Sequence, residues 1–248
     1  MNAGLYIAMN GANYNMFAQS VHANNLANAS TSGFKAELVN ALSARVVGDD
    51  GLEHGELPLA LATSIDFSFG SMQETGDDFD IAIDGQGWMS VLTDDGQEAY
   101  TRGGRLMIDE LGFLRNERGN QILGGGGPIV IPESEKVEIA NDGTISVRGL
   151  GQAASQLQQV DVLRLVNPPI NTISRGPDGL FYLEGDAPAA ADPLVRLRSG
   201  FVETSNVNPV HELTSITSSA RQFEMNIKMM QAMGDITETT TRLLQVQV

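Results

Sequence analysis

Side chains able to do chemistry are sparse in this 248-residue chain, which has no cysteine and only three histidines. Thiol catalysis, zinc–thiolate sites, iron–sulfur clusters and disulfides are therefore excluded. His22, His54 and His211 lack metal-ligand spacing and are assigned surface or packing roles. Asp77, Asp78, Asp80 and Asp84 crowd one stretch but lack the glycine and glutamate positions of a calcium loop. Alternation puts Asp78, Asp80 and Asp84 on one face of a strand, where water solvates them. Ser32-Gly33-Phe34-Lys35 has the S-x-x-K pattern of some acyl-transfer enzymes, but the partner motifs Ser-Asp-Asn and Lys-Thr-Gly are absent. The run Gly124-Gly125-Gly126-Gly127-Pro128 has no lysine and leads into a strand, which suits a hairpin loop rather than a phosphate cradle. Gly85-Gln86-Gly87 precedes a strand, not the helix a dinucleotide fingerprint needs, and reads as a turn or bulge. No pair of carboxylates is singled out for glycosidic chemistry. No catalytic residue, cofactor site or metal ligand is assigned, and an enzyme is not expected.

Charge narrows the partners. There are 31 acidic against 15 basic residues, a net charge of -16. Such a chain is poorly suited to nucleic acid or to anionic membranes, whose affinity comes from neutralised phosphates. Hydrophobic residues make up 42%, enough for a buried core and too many for a fully disordered chain. No apolar run reaches the roughly 18 residues of a membrane span, so no membrane insertion is expected. Residues 1–20 lack Lys and Arg, and Asn2, Asn10, Asn13 and Asn15 interrupt their apolar stretch. That pattern is not a cleaved secretory signal, and export would need another route.

The elements that must do the positioning divide into ends and middle. Leu5, Met9, Ala12, Met16, Gln19, Ala23 and Leu26 alternate spacings of four and three, the mark of one helix stripe, with Gly33 as a stop. A longer helix is predicted from Pro209 to about 245, roughly 55 Å long. Asn208 is its N-cap, Pro209 suits its first position and Glu212 suits its first turn. Its stripe runs Leu213, Ile216, Ala220, Phe223, Ile227, Met230, Gly234, Thr237, Thr241, Leu244 and Val248. Gly234 and the Thr239–Thr241 run weaken its last turns. The methionines 225, 229, 230 and 233 serve packing. Neither stripe can be buried on itself, so the ends are expected to pair with each other and with neighbouring subunits. The fold class is α+β. Long terminal helices, 1–34 and 204–248, pair as a coiled-coil-like assembly domain. An extended connector with some strand covers 35–77, and a mainly antiparallel β domain, a sandwich or open barrel, covers 78–203. Subunit packing is assigned to Leu5, Met9, Ala12, Met16 and Leu26 at one end. At the other it falls to Leu213, Ile216, Ala220, Phe223, Ile227, Met230 and Leu244.

Three stretches carry a family resemblance. The segment 23–35, with Ala23, Asn24, Asn25, Ala27, Asn28, Thr31, Gly33, Phe34 and Lys35, resembles the N-terminal signature of bacterial flagellar rod and hook proteins. Gly200 to Val210, with Ser205, Asn206, Val207 and Asn208, resembles the second signature, departing at Val202, where Leu is commoner. Asp84–Met89, Tyr100–Gly104 and Leu123-Gly124 resemble the β domain shared by these proteins. Nearly the whole chain is covered, least securely at 35–77. Length and the run Arg221-Gln222-Phe223-Glu224-Met225 most resemble the proximal-rod member; the distal-rod member is the nearest rival. The resemblance implies a structural axial subunit that transmits torque from motor to hook across the periplasm. It implies export through the flagellar type III apparatus without a cleaved signal, and termini that order on assembly. The implied partners are copies of the chain and other proximal and distal rod proteins, with no cofactor.

Overall fold

The computed structural model describes residues 3–47, 53–149, 151, 157–185 and 188–245; the side chains of residues 3, 41–61, 237, 238 and 240–245 lie outside that description. The chain divides into two compact units. The first comprises residues 1–29, 36–66 and 207–248, the second 30–35 and 67–206.

The first unit contains helix α1 (Ala3–Ala27), strands β1 (Glu37–Val47) and β2 (Glu53–Ile65), and helix α2 (Pro209–Gln245). Asn208 starts α2 as expected, its side-chain oxygen accepting the amides of Val210 at 3.1 Å and His211 at 3.3 Å. α1 and α2 pack antiparallel. A Cβ built on Gly4 would lie 2.6 Å from Met233 Cε, and one on Gly11 3.0 Å from Asn226 Nδ2. Further along, His22 Nδ1 meets Glu212 Oε2 at 2.6 Å. The face that α1 buries is made of small and polar residues: Ala8, Ala12, Asn15, Ala18, Val21 and Asn25. Small side chains let the two backbones approach, and the bulkier residues of α2, among them Phe223, Met230 and Met233, fill the gap half-buried. The large apolar residues of the expected α1 stripe lie about one position round the helix. Leu5, Met9 and Met16 are exposed, Leu26 is half-buried and Ala12 alone is buried.

Within 35–77, expected as an extended connector with some strand, β1 and β2 pair as a long antiparallel ladder from Glu37 opposite Ile65 to Val47 opposite Glu53. Pro58 lies opposite Ser43, where the register shifts; a bulge tolerates a residue that cannot donate to the ladder. Asp66 N donating to Ala36 O at 2.9 Å closes the base.

The second unit is mainly β, with one short 3-10 turn at Ile170–Thr172 among its described residues. Its strands are β3 (Met72–Glu74), β4 (Ile81–Asp84), β5 (Trp88–Leu92), β6 (Glu98–Thr101), β7 (Leu106–Ile108), β8 (Leu114–Asn116), β9 (Gln121–Ile122), β10 (Ser134–Ile139) and β11 (Thr144–Gly149). Then come β12 (Gln158–Val162), β13 (Leu165–Val166), β14 (Ile173–Arg175), β15 (Phe181–Leu183), β16 (Arg196–Ser199) and β17 (Phe201–Glu203). The largest sheet has the order β14-β15-β6-β5-β9-β8-β7, with β13 also on β5. β10, β11 and β12 form a second sheet, and the pairs β16–β4 and β17–β3 complete the set. The pairings among the described residues are antiparallel. One apolar core, with Ile83, Met89, Val91, Ile122, Ile129, Ile145 and Leu197 among its members, joins the two larger sheets. The alternation expected around Phe79, Ile81 and Ile83 is lost, because Ile81, Ala82 and Ile83 are all buried. β4 pairs with β16 and is covered on both faces, so its sequence carries apolar residues in succession.

Candidate functional site

The second unit holds a buried ionic cluster assembled from distant parts of the sequence. Residues 30–35 follow α1 as a turn and an extended stretch. Gly33 has φ +66°, and a Cβ there would sit 2.3 Å from the Arg102 carbonyl carbon. Only glycine combines that conformation with that approach. Gly33 N then donates to Glu203 O at 2.8 Å, and Asn206 N donates to Phe34 O at 3.4 Å. Phe34 is buried, with the Arg175 guanidinium 4.3 Å from its ring centroid. These contacts deliver Lys35 to the end of β17, where Nζ donates to Glu203 Oε1 at 2.7 Å and to Ser68 O at 2.8 Å.

Arg102 reaches the same carboxylate from the end of β6. Its Nε donates to Glu203 Oε2 at 2.7 Å, and its Nη atoms donate to the carbonyls of Gly87 at 2.6 Å and Gly85 at 2.9 Å. Gly70 N adds a bond to Glu203 Oε1 at 3.0 Å. Lys35, Arg102 and Glu203 are all buried. Charges withdrawn from water need dense hydrogen bonding, and each member has it. Against them lie Phe69, whose ring centroid is 5.3 Å from Lys35 Nζ and 5.0 Å from the Arg102 guanidinium, and Trp88 at 5.8 Å from the latter. Trp88 in turn meets Phe67 edge-on at 6.1 Å and Phe181 at 4.5 Å.

The signature asparagines serve as backbone ties. In the first unit, Asn25 is buried and mimics a strand partner for Glu37, donating to its carbonyl at 2.8 Å and accepting its amide at 2.9 Å. Asn28 Nδ2 donates to Asn24 O at 2.9 Å, at the end of α1. Ala23 and Ala27 are exposed, and Val207 is buried. In the second unit, Thr31 O accepts Phe34 N at 3.4 Å, and Asn206 Nδ2 donates to Ser68 O at 3.2 Å. Ser205 is half-buried.

Of the packing residues, Ile216, Ala220, Phe223, Ile227 and Met230 lie half-buried along α2, whereas Leu213 is exposed. The Leu244 side chain lies outside the described residues, as do those of Thr237 and Thr241; Val248 is outside altogether.

The motifs set aside on sequence grounds take local roles. Gly124 N bonds Gly127 O at 2.7 Å, closing the glycine run as a hairpin loop, and Asp161 Oδ1 accepts Gly125 N at 3.2 Å. Asp77 caps the amide of Phe79 at 3.0 Å, and Asp84 pairs with Arg198 at 2.8 Å. Among the described residues no three His, Asp or Glu side chains gather as a metal site would require, and no helix is long and apolar enough to cross a membrane.

Arg102 and Glu203 were not picked out from sequence as site residues. One signal was available: Glu203 is an acidic residue ending the Phe201-Val202-Glu203 strand, and such a buried carboxylate demands a cation.

Three family models match the chain: "Flagella basal body rod protein" at residues 5–35, "Flagellar hook protein FlgE/F/G D1 domain" at 82–147, and "Flagellar basal body rod FlgEFG protein C-terminal" at 198–243. The flagellar basal-body rod protein FlgF of Escherichia coli (strain K12) is 38% identical, over 99% of this chain and 100% of its own length. This chain belongs to the flagellar basal-body rod protein family. A FlgF of Caulobacter vibrioides is 30% identical over 98% of both chains, and a FlgG of Buchnera aphidicola subsp. Acyrthosiphon pisum is 30% identical over 98% of this chain and 100% of its own. The ionic cluster draws one residue from each of the three matched regions: Lys35 from the first, Arg102 from the second and Glu203 from the third. In this member of the family, the three regions are therefore tied by a single carboxylate.

Proposed function

We propose that this chain is a structural axial subunit of the proximal part of the bacterial flagellar rod, joined to its neighbours through its terminal helices and passing torque from motor to hook. The observation that carries the reading is full-length relatedness to a FlgF rod protein at 38% identity. The helix pair supports it. In α1, residues 4, 11 and 22 meet residues 233, 226 and 212 of α2, and the buried or half-buried residues 8, 15 and 18 of α1 and 216, 219, 223 and 230 of α2 fall between them on the same stripes. Both series alternate fours and threes, the spacing of a coiled-coil seam. With small and polar residues on the α1 side of that seam, Leu5, Met9 and Met16 are left exposed, as are Leu213 and Met225 of α2. Apolar surface of that kind suits further subunits. The packing assignment thus covers two faces: Ala12, Ile216, Ala220, Phe223, Ile227 and Met230 within the pair, and Leu5, Met9, Met16 and Leu213 toward neighbours. On this reading residues 1–34 and 204–248 act as the assembly domain and 78–203 as the outer β domain. Partners are copies of the chain and other rod proteins. Export uses the flagellar type III apparatus without a cleaved signal, the rod lies in the periplasm, and no catalytic step is assigned.

The test is an in-frame deletion in the source bacterium, with swimming scored and basal bodies imaged. Loss of swimming with rods stopped before the distal segment is expected. Rods stopped later would move the subunit to the distal rod, a placement the 30% match to a FlgG also allows. Intact rods with normal swimming would overturn the structural reading.

A further inference from the structure

With no cysteine in the chain and its one tryptophan, Trp88, buried, methionine sulfur is the group most open to a peroxide. The ten methionines are unevenly placed. Among the described residues, five large apolar side chains are exposed on each helix, and two of each five are methionine. That share far exceeds ten in 248, so thioethers mark the outward faces of the helix pair. Met9 and Met16, 40% and 58% exposed, lie two turns apart on the side of α1 turned away from the buried Ala8, Asn15 and Ala18. Met225 and Met229, 59% and 46% exposed, lie one turn apart on α2. Met225 lines a groove of about 510 Å³ with Leu213 and Thr217, so it shares the Leu213 face.

A thioether takes one oxygen atom from a peroxide. The O–O bond breaks and an S–O bond forms; sulfur gives up two electrons, and the remaining oxygen leaves with both protons as water. The product is a polar sulfoxide on a side chain that was apolar. Covered by an apolar neighbour, it loses water without gaining a hydrogen-bond donor. The seam toward α2 draws on Gly4, Ala8, Gly11, Asn15 and Ala18 of α1, none of them a thioether, so sulfoxides on the outward faces leave the helix pair in place.

We infer that Met9, Met16, Met225 and Met229 form a modification site for peroxide-type oxidants, whose sulfoxides keep the chain out of assemblies without unfolding it. The inference rests on the reading of the outward helix faces as subunit contacts, and adds a reversible chemical control to them, since sulfoxide is reducible by enzymes. Assembly covers the same sulfurs, so the modification acts on subunits before they are built in.

Two measurements test it. The full chain and isolated basal bodies are treated with dilute hydrogen peroxide and mapped by peptide mass spectrometry. In the free chain the four methionines are expected to oxidise at least about tenfold faster than the buried Met89, and in basal bodies to be protected about tenfold. Rates no faster than that of Met89, or equal rates in both states, would overturn the site. In the second, all four are replaced by Gln, which carries the polarity of the sulfoxide, or by Leu, which keeps the face apolar. Both variants are expected to match wild type in far-ultraviolet circular dichroism. The Gln variant should fall about tenfold or more in basal bodies, while the Leu variant is incorporated. A Gln variant without its helical signal would contradict the survival of the fold. Exclusion of the Leu variant as well would assign the effect to side-chain shape and overturn the redox role. Normal incorporation of the Gln variant would overturn the inference; exclusion of Leu213→Asp in the same strain would then leave the helix-face reading standing, and its incorporation would remove both.

Discussion

At the scale of single residues, the carboxylate of Glu203 governs. It accepts Lys35, Arg102 and the Gly70 amide, so its loss removes the carboxylate that two buried cations share. Glu203→Gln is expected to destabilise the full chain by about 3–5 kcal/mol, read from urea unfolding. A cost within error of zero would mean that water reaches the cluster. Asp109 offers a milder test by pH. Its hydrogen bond from Arg115, with help from backbone amides, holds its carboxyl below the ordinary value of 3.8. A depressed pKa adds stability that is fully present above the unfolded value and lost as pH falls through the folded one. The stability gap between wild type and Asp109→Asn should therefore be level near neutrality and narrow below about pH 3.8. A gap that widens in acid would contradict the pairing.

At the scale of elements, the rotation of α1 is the feature most open to experiment. Ala18 faces α2 and is buried, whereas Met16 faces outward at 58% exposure. Ala18→Leu should overpack the seam and cost about 1–3 kcal/mol. Met16→Ala should stay within about 0.5 kcal/mol, as surface changes do. Equilibrium unfolding of the two variants decides which face meets α2, and a reversed order would restore the larger apolar stripe to the inside. The pairing of β1 and β2 teaches a related lesson. Its long ladder, from Glu37 opposite Ile65 to Val47 opposite Glu53, includes a proline that only a register shift makes tolerable. On sequence grounds, the Gly48-Asp49-Asp50-Gly51 run and the acidic stretch favour an extended connector with some strand.

At the scale of the whole molecule, assembly and folding should separate. Leu213 is 57% exposed, so Leu213→Asp costs the monomer little. The variant is expected to match wild type in far-ultraviolet circular dichroism and in its urea midpoint, yet to be missing from isolated basal bodies. Incorporation at the wild-type level would show that the outward face of α2 is not a subunit contact. The family relationship across 99% of the chain gives this experiment its setting.

By itself the sequence determined the classes of element and the family. The start of α2 was legible because an N-cap asparagine and a following proline act locally, and the β character of the middle was legible from its turns and alternation. The signatures around residues 23–35 and 200–210 could be seen without knowing what they touch. Tertiary structure decided the rest, because the deciding interactions join positions far apart in the chain. Lys35 reaches Glu203, and His22 reaches Glu212. The seam of α1 went unseen for a further reason. A search for large apolar residues finds Leu5, Met9 and Met16, whereas close helix packing selects Gly4, Ala8, Gly11, Asn15 and Ala18 for being small. Hydrophobic periodicity marks a surface that must be covered, but the partner's shape decides which face is covered first.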